Sequence, residues 1–274
     1  MVELRAPDGA RAEVYLHGAH VTSWTPAGGG GERLFLSTTS EFRAGAAIRG
    51  GVPVIFPQFA TEGPLPRHGF ARTSAWELVP AADAAAGAPA SGAAATFRLT
   101  DSAATRAIWP HAFVAELAVS VGGPQLELRL TVANTGPSSF AFTGALHTYL
   151  RVADVQQTIV RGLAGTRYRD SGAGGGGRAD PVPELRVRGE TDRVYLDAPA
   201  ELEVREPDRA TLVRTEGFRD VVVWNPGAER GAALADLEPG GYARMLCVEA
   251  AAVGTPVQLG PGQRWTGAQT LIAR

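Results

Sequence analysis

From Gln125 to Val132 the chain alternates without a break. Leu126, Leu128, Leu130 and Val132 take one side, and Glu127, Arg129 and Thr131 take the other. A side-chain period of two belongs to a half-buried strand and not to a helix. Phe113 to Val121 is a second strand candidate, and Gly122-Gly123-Pro124 between the two makes them a hairpin. Asn134-Thr135-Gly136-Pro137 closes it. Ala12 to Leu16, Glu201 to Arg205 and Thr255 to Leu259 read as further short strands. Gly260-Pro261-Gly262-Gln263 is a turn before a last strand near Trp265 to Ile272. No long segment has a 3.6-residue period. Short strands at this density, separated by turn signals, predict an all-β sandwich with few short helices.

Two segments read as loops. Pro80 to Ala95 is rich in alanine, but its prolines and glycines argue against a helix. Ser171 to Gly177 carries the Gly174 to Gly177 run, which lacks the strand-then-helix setting of a dinucleotide fingerprint. Neither is flanked by a shift in composition, and no internal repeat is present, so residues 1–274 are expected to form a single domain.

The segment from Arg49 to Arg72 is different in kind. It runs Arg49-Gly50-Gly51-Val52-Pro53-Val54-Ile55-Phe56-Pro57-Gln58-Phe59 and, further on, Pro66-Arg67-His68-Gly69-Phe70-Ala71-Arg72. Arginine and histidine are costly to bury alone, while glycine and proline interrupt regular structure. The apolar run Val52 to Phe56 between the charges predicts a loop anchored in the core, with its guanidiniums aimed at one place. That is the material of an anion site. The chain has no lysine at all. Schiff-base chemistry, pyridoxal-phosphate attachment and a Walker-type loop are therefore excluded. Any phosphate must be held by arginine, backbone N–H groups or hydroxyls.

Other function classes drop out on composition. A net charge of −2 gives no reason to expect nucleic acid or an acidic membrane as partner. One cysteine, Cys247, cannot form an internal disulfide, which suits a reducing cytoplasm. Glu3, Arg5 and Asp8 leave no apolar core for a signal peptide. No apolar run approaches the ~20 residues that span a bilayer.

At several places the sequence resembles the D-hexose-6-phosphate mutarotases, the glucose-6-phosphate 1-epimerase branch of the galactose-mutarotase-like superfamily. The matching pieces, beside Arg49 to Arg72, are Gly18-Ala19-His20-Val21-Thr22-Ser23-Trp24, Ala145-Leu146-His147-Thr148-Tyr149 and Glu190-Thr191-Asp192-Arg193-Val194-Tyr195. They continue with Val223-Trp224-Asn225-Pro226 and Met245-Leu246-Cys247-Val248-Glu249. Each is short, but together they span nearly the whole chain in family order. The resemblance implies a galactose-mutarotase-like β-sandwich (a supersandwich). It also implies a cytoplasmic monomer that interconverts the anomers of a hexose 6-phosphate.

Anomer exchange opens the sugar ring. A base takes the proton of the C1 hydroxyl while an acid protonates the ring oxygen, so one carboxylate and one imidazole suffice. No metal, cofactor or covalent nucleophile is required. The resemblance assigns His147 as general acid and Glu249 as general base. On the residues alone, His147 lies in a strand-like stretch, Phe140 to Leu150. Glu249 lies in an apolar run that should desolvate it and raise its pKa.

By the same resemblance Arg49 and Arg72 lie near the 6-phosphate, His68 near a sugar hydroxyl, and Asp192 against vicinal hydroxyls. Arg67 stands where relatives often carry glutamine. It either adds a third charge at the phosphate or displaces a sugar hydrogen bond. Asp220 and Trp224 are weaker candidates, and Trp224 reads as core sooner than as a sugar platform. His17 and His20, three apart around Gly18-Ala19, have no acidic ligand nearby and read as a structural turn; His111 reads as strand-entry packing.

Three rival readings remain. A noncatalytic carbohydrate-binding protein should lack His147 or Glu249. A glycoside hydrolase needs two carboxylates across a bond, and only Glu249 has a convincing setting. An aldose 1-epimerase acting on non-phosphorylated sugars would leave the arginines without a partner charge.

Overall fold

The computed structural model describes residues 1–80, 92–170, 178–179, 181 and 183–274. Among these, the pairings named within the sheets are antiparallel. A three-stranded sheet joins Val2–Arg5, Arg11–Tyr15 and His20–Thr25. A nine-stranded sheet runs in the order Glu184–Arg186, Ile159–Arg161, Glu201–Arg205, Ala210–Glu216, Arg264–Ala273, Gln125–Asn134, Phe113–Gly122, Ala93–Thr100 and Glu77–Val79. An eight-stranded sheet runs Arg178–Ala179, Arg167–Asp170, Thr191–Tyr195, Asp220–Asn225, Met245–Leu259, Phe140–Leu146 and Val54–Ile55. Tyr149–Arg151 pairs separately with Met245–Leu259.

The predicted hairpin is present, with Phe113 opposite Asn134 and Gly122 opposite Gln125. Leu126, Leu128, Leu130 and Val132 are all essentially fully buried. Each such side chain contributes about 1.5–3 kcal/mol of burial. They join one large core with Leu117, Val213, Leu271, Leu246, Val248 and Ala250, so the nine- and eight-stranded sheets pack face to face over it. The helices are short: Ala103–Ile108, closed by a capping box between Ser102 and Thr105, and Gly227–Ala232. No helix among the described residues is long and apolar enough to cross a membrane.

Three sequence expectations need correction. Ala93 to Ala95 are not loop but the start of Ala93–Thr100, because they pair with Val121, Ser120 and Val119 of the hairpin; residues 81–91 of that expected loop, and all of Ser171 to Gly177, lie outside the described residues. Thr255 to Leu259 is not a separate strand. It is the tail of Met245–Leu259, displaced by a register shift between Ala252 and Val257. Phe140 to Leu150 is not continuous. Phe140–Leu146 and Tyr149–Arg151 are separated at His147 and Thr148: the His147 N–H still extends the Leu146–Val54 pairing by donating to the Pro53 carbonyl at 3.0 Å, while the Thr148 N–H turns back to Leu146 O at 2.9 Å.

The Arg49 to Arg72 segment is tied into this frame. The Gly51 N–H donates to Phe35 O and its carbonyl accepts from Tyr149 N. Gly51 has φ +59°, and a Cβ there would sit 2.2 Å from Val21 O, so glycine is required. Gly69 is similar, with φ +67° and Phe56 O in the way of a Cβ.

Candidate active site

The Met245–Leu259 strand has two faces. Leu246, Val248, Ala250 and Ala252 point into the core between the sheets. Met245, Cys247, Ala251 and Val253 belong to a second apolar cluster with Ile55, Phe59, Tyr149, Val222 and Trp224. Glu249 shares the parity of this second set and so lies on the outer face of the sheet. The register runs a row across four strands: Asp192 opposite Trp224, Trp224 opposite Cys247, Cys247 opposite Tyr149. Thus four of the sequence motifs, far apart in the chain, share one patch.

His147 enters this patch from the break between its two strands. Its Nε2 lies 3.3 Å from Glu249 Oε1, with the two side chains 10% and 1% exposed. The imidazole stacks on the Tyr149 ring at 4.8 Å and 10° and meets the edges of His68 and Trp224. Burial holds the His147 imidazole well below its ordinary pKa, helped by His68, Arg72 and Arg49. Burial pushes the Glu249 carboxyl well up, and Asp192 adds to it. The expected desolvation of Glu249 is therefore present. Both shifts favour the uncharged pair, with one proton shared and held on the carboxyl side.

His68 is buried at φ +65°, and its Nδ1 accepts the Ala60 N–H at 3.2 Å. That bond leaves Nε2 as the protonated nitrogen of the neutral ring. Burial, then Arg72, Arg67 and Arg49, push its pKa down to about 3.

The arginines are not equivalent. Arg49 grips Asp236 with Nε and Nη2, at 3.1 and 3.0 Å, and its Nη1 donates to the Tyr149 hydroxyl at 2.9 Å. Tyr149 and Asp236 together raise its pKa against the cost of burial. Arg72 is half-buried, donates from Nη2 to Arg67 O at 3.2 Å, and its Nε has no hydrogen-bond partner. Burial lowers its pKa, with Arg49 and Arg67 adding repulsion. Arg67 is exposed. The structure thus brings His147, Glu249, His68, Arg49 and Arg72 together, with Arg67 at their margin. Asp192, half-buried on Thr191–Tyr195, has Arg230 Nη1 at 3.8 Å.

Asp220 is not at the site. Its carboxylate accepts the N–H groups of Asp197, Val253 and Gly254, and so fastens the bulged strand. His17 and His20 are structural as expected, bonded to Ala46 O and Gly50 O. His111 packs on Trp109 and Phe140.

Sequence reasoning quoted Tyr149 and Cys247 in motifs but gave them no place at the site. Their signal was spacing: each lies two residues from a candidate, hence on the same strand face. Asp236 carried no sequence signal at all.

Residues 1–271 match the aldose 1-epimerase family. A protein of Cenchrus ciliaris named "Putative glucose-6-phosphate 1-epimerase" is 37% identical over 278 residues, covering 99% of this chain and 84% of its own. The crystal structure of a "putative mutarotase" from Salmonella typhimurium superposes with a TM-score of 0.86 at 33% identity, over 96% of this chain and 87% of that one. A galactose mutarotase related enzyme from Lactobacillus acidophilus superposes at 0.77 with 14% identity, over 100% and 97%, and shares the fold. The expected galactose-mutarotase-like sandwich is borne out.

Proposed function

The chain belongs to the aldose 1-epimerase family, and from that premise we propose that it is a glucose-6-phosphate 1-epimerase using His147 as general acid and Glu249 as general base. The observation that carries the proposal is the 3.3 Å approach of the two groups on a buried face beside the arginine-bearing loop. The Cenchrus ciliaris relative of that name and the similarly folded putative mutarotase of Salmonella typhimurium, both described above, support it.

In this reading Glu249 takes the C1 hydroxyl proton and His147 gives a proton to the ring oxygen. The C1–O5 bond breaks, leaving an aldehyde at C1 and a hydroxyl at C5. Rotation about C1–C2 turns the other carbonyl face toward O5. On reclosure the C5 hydroxyl returns its proton to His147 and Glu249 gives its proton to O1, so the pair ends as it began. Such a pair typically contributes two to four orders of magnitude per group.

Burial favours the uncharged form of the free pair, whereas this step needs imidazolium and carboxylate. The field of Arg72 and Arg49 is part of what keeps His147 neutral. A phosphate dianion set against those arginines offsets that field and moves the shared proton toward His147. His68 Nε2–H offers a donor to a sugar hydroxyl, and Asp192 an acceptor. Arg72, with an unpartnered Nε, is the principal phosphate ligand; Arg49 contributes through the donors that Asp236 and Tyr149 leave over.

Anomer-exchange NMR on glucose 6-phosphate, galactose 6-phosphate, mannose 6-phosphate and glucose tests the reading. Exchange accelerated for phosphorylated sugars and not for glucose is expected. Equal acceleration of free glucose would reduce the protein to an aldose 1-epimerase without phosphate recognition.

A further inference from the structure

We propose that His147, Cys247 and Glu249 form a binding site for a thiophilic divalent cation of the zinc type, and that such an ion blocks turnover. The binding half stands alone; the blocking half rests on the catalytic reading above. One donor atom from each of the three residues lies within 4.8 Å of the others, and all three residues are buried. An imidazole nitrogen, a thiolate sulfur and a carboxylate oxygen are the ligand types that zinc takes, with a fourth position left for water or a sugar hydroxyl.

Two further observations point to a ligand. Glu249 Oε2 is buried without a hydrogen-bond partner, on a side chain only 1% exposed. Unsatisfied buried acceptors are rare and costly. The backbone is also fixed. Cys247 and Glu249 stand two apart on one strand, and Tyr149, opposite Cys247, follows His147 by two residues. The donors therefore converge without a loop having to order.

Charge favours the ion as well. A dication, one thiolate and one carboxylate sum to zero, so no net charge is buried. Arg72 and Arg49 both act on His147, and Asp236 offsets Arg49 through their ion pair. On binding, Cys247 and Glu249 each release a proton to solvent and His147 gives its Nε2 lone pair. Metal–sulfur, metal–oxygen and metal–nitrogen bonds form, and nothing is oxidised or reduced. The occupied dyad can no longer exchange protons with a sugar.

Cobalt(II) serves as the spectroscopic probe in a titration of the purified full-length chain, paired with zinc inhibition of glucose 6-phosphate exchange in a metal buffer. One equivalent of cobalt should produce a thiolate-to-metal charge-transfer band. Zinc should inhibit, and hexose 6-phosphate should compete with it. Cys247→Ala should lose the band, and its zinc inhibition is read against its own metal-free exchange rate. It should weaken zinc inhibition by more than the roughly 10–100-fold cost of losing even a supporting group around a metal. If that variant does not fold, Cys247→Ser is read in the same way. Cobalt binding without the thiolate band, or unchanged zinc inhibition in the folded variant, overturns the proposal. Should the protein show no exchange activity with any sugar, the cobalt spectrum still decides the site.

Discussion

The two faces of the Met245–Leu259 strand obey different rules. Its inner residues, Leu246, Val248 and Ala250, are fully buried aliphatics with nothing to satisfy but shape. Its outer residues include Cys247 and Glu249, equally buried, with a carboxylate oxygen left without a partner. A close-packed face stabilises the fold, while the outer face holds a desolvated acid–base pair at a cost. The same backbone supports both because side chains alternate. The fold needs the outer face to be buried; the proposed chemistry needs it to be incompletely satisfied.

The sharpest way to break this contrast is to cut each face in turn. His147→Ala, on the outer side, should lower kcat by about two to four orders of magnitude and leave the urea midpoint nearly unchanged. A folded variant with wild-type kcat would remove His147 from the mechanism. Leu246→Ala, on the inner side, should cost about 2–5 kcal/mol of stability. Its kcat per folded molecule should stay within a few-fold of wild type. If instead it loses activity while keeping its midpoint, the division between the faces fails.

The arginines sharpen the outer half. Arg72→Ala should raise KM for glucose 6-phosphate by roughly 10-fold or more with kcat little changed, the scale of one charge-assisted contact. Arg49→Ala should lower kcat as well, because it releases the Tyr149 ring on which His147 stacks. Arg67→Gln, at an exposed position, should change KM by no more than about 5-fold, and less at high salt. Equal losses on phosphorylated and free sugars in all three would show that the loop shapes the site without reading phosphate.

The smallest expected effect separates structural from functional histidine. His20 is fully buried, with its pKa lowered by burial from 6.5 to about 4. Between those values the unfolded chain binds a proton that the folded chain refuses. Stability should therefore fall as pH drops from about 6.5 to about 4, by at most about 1.4 kcal/mol per pH unit from this group. His20→Gln, which can keep a donor for Gly50 O, should flatten that decline and leave kcat alone. Urea midpoints at several pH values check it; an unchanged slope would exclude His20 as a source.

The hairpin from Phe113 to Asn134 was legible because every second residue states its side. The Met245–Leu259 strand was half legible. Glu249 stood out by chemistry, but Gly254-Thr255-Pro256 reads as a strand boundary where the chain instead carries a bulge. The backbone of His147 is fixed by Pro53 O, in register with the Leu146–Val54 pair, a distant partner that no local pattern announces. The Asp236–Arg49–Tyr149 chain was invisible for the same reason: Arg49 and Asp236 are 187 residues apart. Periodicity reports which side a residue faces, and only tertiary structure reports what it meets there.

The central claim is that the outer-face carboxylate exchanges protons with the sugar. Glu249→Gln keeps its shape and removes only that ability. Its saturation-transfer NMR exchange rate on glucose 6-phosphate, against wild type at equal folded concentration, is the direct measurement. The account predicts wild-type exchange far above the spontaneous rate, and a variant reduced by about two to four orders of magnitude with its fold intact. A Glu249→Gln protein that exchanges anomers as fast as wild type would contradict it.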